Sequence, residues 1–217
     1  MLTDEEKENA KPLILNTQMV KAILEGRKTR FSKVVKKPID FEVESTNVIN
    51  AKDGGISEVE LVNFDSDKTL FVKPQFKVGD ILYVKESFAL EAMTFTEDDE
   101  CIWHEEPIVH YRADGEDIQW VDDYEDPINT PYKTPMCMPK KYARIFLKIT
   151  DSRFENLQDM SIQDIQNEGI FTLGLTTDLI HQCWQVNWDS TAKDGFKVEN
   201  EPLIFAFEFE RFLNEKE

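Results

Sequence analysis

The 217-residue sequence predicts an α+β protein that combines many short strands with a few short helices. Several segments alternate apolar and polar residues with the period of a strand, and three others show the spacing and capping residues of short helices. Hydrophobic residues make up 41% of the chain, with 15 Phe and 4 Trp, which is typical of a globular core. We therefore expect one domain with insertions.

The first half of the chain is predicted to contain a strand, a helix and a β-rich excursion. Residues 1–10 are expected to form a flexible charged tail, followed by a strand over 12–16. Thr17 is the expected N-cap of a helix that ends at Gly26. Further strand signals cover 41–74, with a turn at 53–55, and 81–89. The strand over 81–89 is typical of a barrel strand that ends at a site.

The second half is predicted to be strand-rich as well, with two helices. Strand signals occur at 102–103, 108–111, 142–154 and 202–212, and helices are expected from Ser161 to Gly169 and over 178–186. Because no repeat or low-complexity linker interrupts the pattern, residues 11–217 are expected to form one domain. Its insertions are predicted at about 38–74 and 91–139.

The overall charge restricts the classes of partner. A net charge of -18 and a pI near 4.6 oppose non-specific binding to a nucleic-acid duplex, so any nucleic-acid contact must be local. Three widely spaced cysteines argue against a disulfide framework. The sequence shows neither a signal-peptide pattern nor an apolar run that could span a bilayer. We expect a cytoplasmic protein that does not bind membranes.

A basic segment stands out against this acidic background. Between Lys21 and Lys37, seven of seventeen residues are Lys or Arg, and Glu25 is the one acid. The segment Gly26–Lys33 begins where the predicted helix ends. It is either a binding site for an anionic or polar ligand or a solvated loop that pairs with nearby acids.

An acidic stretch forms the opposite extreme. Residues Glu91–Asp126 contain fourteen acids and one base, Arg112. Such a block is either a solubilising insertion or a mimic of a nucleic-acid backbone that occupies the basic cleft of a host protein.

Few chemical motifs remain after the common signatures are excluded. Cys101, His104 and His110 are metal-ligand types, but their spacing matches no zinc motif, and we expect neither metal nor cofactor. The glycine-rich nucleotide loops and the Gly-x-Ser-x-Gly elbow are missing from the sequence. Lys28, Glu86 and Glu168 are then the candidate ionisable groups, acting either as an acid-base set or as structural ion pairs.

A series of short motifs resembles the ASCH family, named for activating signal cointegrator homology, in the form common in phage and prophage proteins. The motifs follow the order of that family from one end of the chain to the other. They are Lys11–Leu15, Met19–Thr29, Val78–Ala89, Tyr111–Gly115, Met138–Pro139, Arg144–Ile145, Leu157–Asp159, Glu168–Ile170 and Trp188–Ser190.

The resemblance implies a PUA-like β-barrel flanked by short helices, with a cleft lined by the basic signature. Members of the family are described as binding RNA or modified nucleosides, and small bacterial relatives resemble amidohydrolases that deacylate acetylcytidine. In those relatives the signature Gly-x-Lys-x-x-Thr-x-Arg supplies a lysine and a nucleophilic threonine, and a later helix ends in a glutamate. Lys28 matches the lysine, and Glu168 matches the glutamate.

The chain departs from that signature at two positions. Phe31 stands where the relatives have threonine, and Lys33 replaces the final arginine. Thr29 and Ser32 carry hydroxyl groups nearby, but Ser32 is expected to face away from the side that Phe31 faces, because side chains alternate along an extended segment. The missing nucleophile favours binding over catalysis.

The leading hypothesis is a protein that binds a nucleotide, modified nucleoside or short RNA in a basic cleft. Phe31 either stacks on a base there or belongs to the core. One alternative is an acetylcytidine-type amidohydrolase with Lys28 as base and Glu168 as its partner, in which Ser32, Thr29 or a water replaces the missing nucleophile. The other alternative is the acidic decoy. The expected ligand-binding residues are Arg27, Lys28, Thr29, Phe31, Ser32, Lys33, Glu86 and Arg144, together with Glu168.

Overall fold

The computed structural model describes residues 2–38, 41–52, 54–95, 101–115, 119–121, 127–129 and 132–212 and shows a strand-rich α+β fold. The helices are α1 (Asp4–Asn9), α2 (Thr17–Leu24), α3 (Ile162–Asn167) and α4 (Thr177–Thr191). The strands are β1 (Lys11–Ile14), β2 (Arg30–Val34), β3 (Ser45–Asn50), β4 (Ile56–Asn63), β5 (Lys68–Val72), β6 (Ile81–Lys85), β7 (Phe88–Phe95), β8 (Cys101–Tyr111), β9 (Gln119–Val121), β10 (Pro127–Asn129), β11 (Phe146–Asn156) and β12 (Leu203–Arg211). The predicted class is confirmed.

The central element is a five-stranded sheet with the order β1-β6-β11-β12-β2. Strand β1 pairs in parallel with β6, and the other pairs are antiparallel. Within the described residues β1 and β2 are its two edges, so the expected closed barrel is not confirmed. The aromatic strand predicted over 202–212 is β12, and it lies between β11 and β2. This central position is why Phe205, Phe207 and Phe209 are buried.

The β-rich excursion folds as a second sheet, with the order β3-β4-β5. Its middle strand buries Ile56, Val59 and Leu61 in the same core as Leu82 and Leu147 of the central sheet. The two sheets therefore share one apolar core. They also meet through Ile56, whose backbone N–H donates to the Ser152 hydroxyl at 2.9 Å.

Most predicted helix and strand signals are confirmed, with shifted ends. The N-cap of α2 is Asn16, not Thr17, because the Asn16 side chain accepts a hydrogen bond from the Met19 backbone N–H. Helix α1 occupies most of the predicted tail and starts with a capping box between Thr3 and Glu6. Helix α4 continues to Thr191, beyond the predicted end at residue 186.

The strand predicted over 81–89 is interrupted. Strand β6 ends at Lys85, and β7 begins at Phe88. The two strands have different partners, since β6 lies between β1 and β11 whereas β7 forms a hairpin with β8. The strand patches at 102–103 and 108–111 belong to the single long strand β8.

A second apolar cluster holds the two C-terminal helices against the central sheet. Ile165 of α3 and Ile180 and Trp184 of α4 pack there with Leu157 and Ile204. Helix α3 begins with the predicted capping box of Ser161 and Asp164. This cluster fixes the end of α3 beside β2.

Some expectations fall on residues that the structure does not describe. Asp53 of the predicted turn and much of the acidic stretch Glu91–Asp126 lie outside the described residues. In the part of the chain that is described, no helix has the length and apolar character needed to cross a bilayer.

We predict that Gly55→Ala destabilises the fold more than Gly54→Ala. Both glycines have positive φ, but a Cβ at Gly55 would lie 2.6 Å from Ser152 Oγ and Val78 Cγ2, whereas a Cβ at Gly54 meets nothing within 4 Å. Gly54→Ala should lower the free energy of unfolding by about 1 kcal/mol, and Gly55→Ala by about 1 to 3 kcal/mol more. Urea denaturation measures both. Equal losses would contradict this packing of the two sheets.

Candidate functional site

The turn after α2 places the lysine of the basic segment. Gly26 has φ 73° and ends the helix as predicted. The backbone N–H groups of Arg27 and Lys28 both donate to the Ala22 carbonyl, at 2.8 and 3.0 Å. Lys28 then forms an isolated antiparallel bridge with Glu168. The chain is thereby directed from α2 past the end of α3 before β2 begins.

Lys28 and Glu168 form a buried ion pair. The Lys28 ammonium donates to Glu168 Oε2 at 2.9 Å and to the Glu168 carbonyl at 2.8 Å. The Lys28 side chain is 1% exposed and that of Glu168 is 13% exposed. Because Glu168 caps the C-terminus of α3, an acid here is unfavourable for the helix dipole. The ammonium group of Lys28 offsets this cost.

Ser32 completes a hydrogen-bonded set with this pair. Its hydroxyl donates to Glu168 Oε1 at 2.6 Å, so the two carboxylate oxygens of Glu168 bind Ser32 and Lys28 separately. Side chains alternate between the two faces of β2 as expected, and Glu168 lies on the face that carries Ser32. Ser32 and Phe31 therefore face opposite sides of β2, as the sequence predicts.

Helix α3 is docked on β2 by a second set of charges. Arg30, which is fully buried, donates to Asp164 of α3 and to Glu155 of β11. Arg153 also contacts Asp164, at 3.3 Å. Burial tends to raise the pKa of Asp164, but hydrogen bonds from Ser161 and the charge of Arg30 outweigh it and lower that pKa. Arg30 and Ser32, two residues apart on β2, thus contact both ends of α3.

Gly169 permits the close approach of this turn. Its φ is 90°, and a Cβ there would lie 3.0 Å from the Cβ atoms of Ala22 and Lys28. A larger residue would separate α3 from the lysine. The glycine that the sequence marks as a helix end therefore also brings Glu168 into contact with Lys28.

A cavity of about 440 Å³ opens beside Lys28, Ser32 and Glu168. This volume lies within the range of small-molecule sites. One wall is apolar and is formed by β1, α2 and the start of the loop after α3. Its residues are Leu13, Leu15, Met19 and Ile170. Another wall is formed by α4, which contributes Trp184, Asn187 and Trp188.

The two tryptophans are fixed by their neighbours. Their ring centroids are 6.4 Å apart, as expected for residues one helical turn apart. Trp188 Nε1 donates to the Phe196 carbonyl at 2.9 Å. The aromatic wall is therefore held in place without a ligand.

Lys33 adds a second cation to the cavity. It is half-buried and lines the cavity together with Lys28 and Glu168. Burial lowers the pKa of the Lys33 ammonium, and the charge of Glu168 opposes that fall while Lys28 adds to it. Lys33 has no ion-pair partner within the described residues.

Phe31 belongs to the core. It is 4% exposed, and its ring stacks on Phe207 at 5.2 Å and meets Phe76 edge-on at 5.8 Å. It borders the cavity, and the Lys33 ammonium lies 6.0 Å from its ring centre. The sequence left open whether Phe31 stacks on a base or belongs to the core, and its surroundings are those of a core residue.

Glu86 and Arg144 lie in a different cluster. Arg144 binds both carboxylate oxygens of Glu86, at 3.0 and 3.1 Å, and also pairs with Asp114 at 2.8 Å. Its guanidinium group lies 3.9 Å from the centre of the Tyr111 ring. Burial raises the pKa of Glu86, while the hydrogen bonds and charge of Arg144 act against this rise. Neither residue lines the cavity at Lys28, so the structure does not bring them into the expected cleft.

Arg27 and Thr29 also lie outside the cavity. Arg27 donates to the Gly169 carbonyl and to Glu25, each at 2.6 Å, and so fastens the turn. The Thr29 side chain is exposed, while its backbone N–H donates to the Asn167 carbonyl at 2.9 Å. Both residues support the position of Lys28 through neighbouring backbone groups.

Sequence reasoning missed the helical wall of the cavity. The spacing of Trp184 and Trp188 on one helix face was the available signal, but the helix was expected to end at residue 186. Rim residues Lys36 and Lys193 were also missed.

In the described ranges, no three side chains of His, Cys, Asp or Glu lie together in a group that could hold a metal ion.

Comparisons with protein-family models, with curated proteins and with solved structures returned no match for this chain. The likeness to the ASCH family therefore depends on the motifs of the chain itself.

We predict that Lys28→Met strongly destabilises the protein. It leaves the Glu168 carboxylate without its cation in a largely buried position, which should cost about 3 to 5 kcal/mol. The double variant Lys28→Met/Glu168→Leu should recover much of this loss, because it removes both charges. Thermal and urea unfolding measure the effect.

The matched control for this prediction is Lys73→Met. Lys73 pairs with Glu58 at 3.6 Å and is 73% exposed, so its loss should change stability by less than about 1 kcal/mol. Equal losses for Lys28→Met and Lys73→Met would contradict the buried ion pair.

Proposed function

We propose that this protein binds an acylated nucleoside in the cavity at Lys28 and hydrolyses its acyl amide. The observation that carries the proposal is the shared carboxylate of Glu168, which binds the Ser32 hydroxyl and the Lys28 ammonium at the wall of one cavity. A hydroxyl hydrogen-bonded to a carboxylate that a third group orients is the arrangement of an activated nucleophile.

In the proposed first step, Ser32 Oγ attacks the acyl carbonyl and its proton passes to Glu168. The distance of 2.6 Å between Ser32 Oγ and Glu168 Oε1 suits this transfer. Glu168 then returns the proton to the departing amine, and an ester with Ser32 remains. Water, deprotonated by Glu168, attacks that ester, which releases a carboxylic acid and restores the serine.

Lys28 supplies the charge for the tetrahedral intermediate. An ammonium group has three N–H donors, and within the described residues two of them bind Glu168. The third can donate to the oxygen that becomes negative during the attack. A fixed donor in a site shielded from water stabilises such an oxygen strongly. Lys33 adds a positive charge to the same cavity.

The aromatic wall suits a planar base. Trp188 is held by the Phe196 carbonyl, and stacking of a base on an aromatic ring contributes about 1 to 3 kcal/mol. The amide group of Asn187 lies on the same wall and has both a donor and an acceptor for the base edge. These features favour a nucleobase over an aliphatic amide.

The motif order, together with this set, supports membership of the ASCH family. Ser32 then takes the role of the threonine of the relatives, displaced by one position from Phe31. We further propose that the central sheet, with the sheet β3-β4-β5 packed on it, corresponds to the PUA-like barrel of that family.

We predict that Ser32→Ala abolishes turnover of acetylcytidine whereas Thr29→Ala leaves it unchanged. Both residues carry a hydroxyl in the same segment, but only Ser32 lies in the cavity and binds Glu168. Loss of the nucleophile should lower kcat/KM at least about a hundredfold. Chromatographic separation of cytidine from acetylcytidine measures the rate.

Two controls accompany this assay. Unfolding curves establish that Ser32→Ala is folded, and mass spectrometry of the protein during turnover detects acyl-Ser32. Turnover that persists in Ser32→Ala would exclude this serine as nucleophile.

A second candidate is binding of the same ligand without turnover. It is favoured by the double engagement of Glu168, because both carboxylate oxygens already accept hydrogen bonds, one from Lys28 and one from Ser32. In that case acetylcytidine would bind and remain intact, and its binding would be lost in Lys28→Met/Glu168→Leu.

A further inference from the structure

The cavity at Lys28 is strongly basic although the protein is strongly acidic. Four lysines line it, and Glu168 is the one acid among its lining residues. Glu168 is already paired with Lys28, which leaves the charges of Lys33, Lys36 and Lys193. None of these three has an ion-pair partner within the described residues.

The three lysines are arranged at different depths. Lys33 is half-buried near Glu168, whereas Lys36 and Lys193 are exposed at the rim, on the segment after β2 and the loop after α4. The chain as a whole has a net charge of -18. An unpaired basic rim in such a protein focuses positive potential on the cavity mouth.

We infer that the substrate is an acylated nucleoside monophosphate, whose phosphate is bound at the rim by Lys36 and Lys193. This inference rests on the proposed function and specifies its substrate class. With the acyl group at Ser32 and the base on the Trp188 wall, the far end of the ligand points to the open side of the cavity. A free nucleoside is neutral there, and a phosphate supplies the negative charge that the rim lacks.

A single nucleotide fits the observations better than an RNA strand. The cavity of about 440 Å³ is of the size that holds one small ligand. A strand would continue beyond the rim over a protein surface of negative net charge, which repels a phosphate backbone.

The test compares acetylcytidine with acetylcytidine 5′-monophosphate on the wild type and on Lys36→Gln/Lys193→Gln. The wild type should have a kcat/KM about tenfold higher for the nucleotide. This preference should shrink in 0.5 M salt and disappear in the double variant, whose kcat/KM should be the same for the two substrates. Lys52→Gln/Lys148→Gln, two exposed lysines outside the cavity, is the charge-matched control and should keep the preference.

The outcomes separate this inference from the proposed function. Equal rates for both substrates, with turnover lost in Ser32→Ala, would overturn the phosphate site and leave the hydrolase. A short RNA carrying acetylcytidine that is hydrolysed faster than the nucleotide would overturn the assignment to a mononucleotide.

If neither small substrate is hydrolysed, tryptophan fluorescence measures binding of cytidine 5′-monophosphate and cytidine. Equal affinities would then overturn the inference, and a preference for the nucleotide that Lys36→Gln/Lys193→Gln removes would support it.

Discussion

The ion pair between Lys28 and Glu168 is the contact on which the rest of the site depends. It joins the turn after α2 to the end of α3, two segments that are 140 residues apart in the sequence. Ser32 and the cavity are positioned by the same carboxylate. Because both charges are largely buried, neither can be lost without leaving the other poorly solvated. The same ion pair thus holds two segments of the fold together and arranges the side chains of the candidate site.

The register of β2 explains how a hydroxyl reaches this pair despite Phe31. Neighbouring side chains of a strand point to opposite faces, so Phe31 enters the core and Ser32 reaches Glu168. Arg30, on the same face as Ser32, reaches the start of α3. The face of β2 on which a side chain lies therefore decides whether it enters the core or reaches Glu168.

The sequence could predict those parts of the fold that depend on local patterns. The end of α2 at Gly26, the capping box of Ser161 and the strand β12 follow from neighbouring residues and are confirmed. Lys28, Lys33 and Glu168 were also identified, although no local pattern showed that Glu86 and Arg144 belong to a separate cluster. That separation depends on Asp114 and Tyr111, which come from a distant turn. Non-local pairing of this kind leaves little trace in a single sequence.

Helix α3 has only six residues, too few to be stable alone. Its position depends on the capping box, on Ile165 in the apolar cluster and on the contact between Arg30 and Asp164. Lys28 and Ser32 hold its other end through Glu168. A short segment held by contacts from other elements can open while the central sheet stays folded, and amide hydrogen exchange would register it as a separate unit. Opening would remove Glu168 from Lys28 and Ser32 together. The geometry of the site would then follow the local stability of one short helix, not the global stability of the protein.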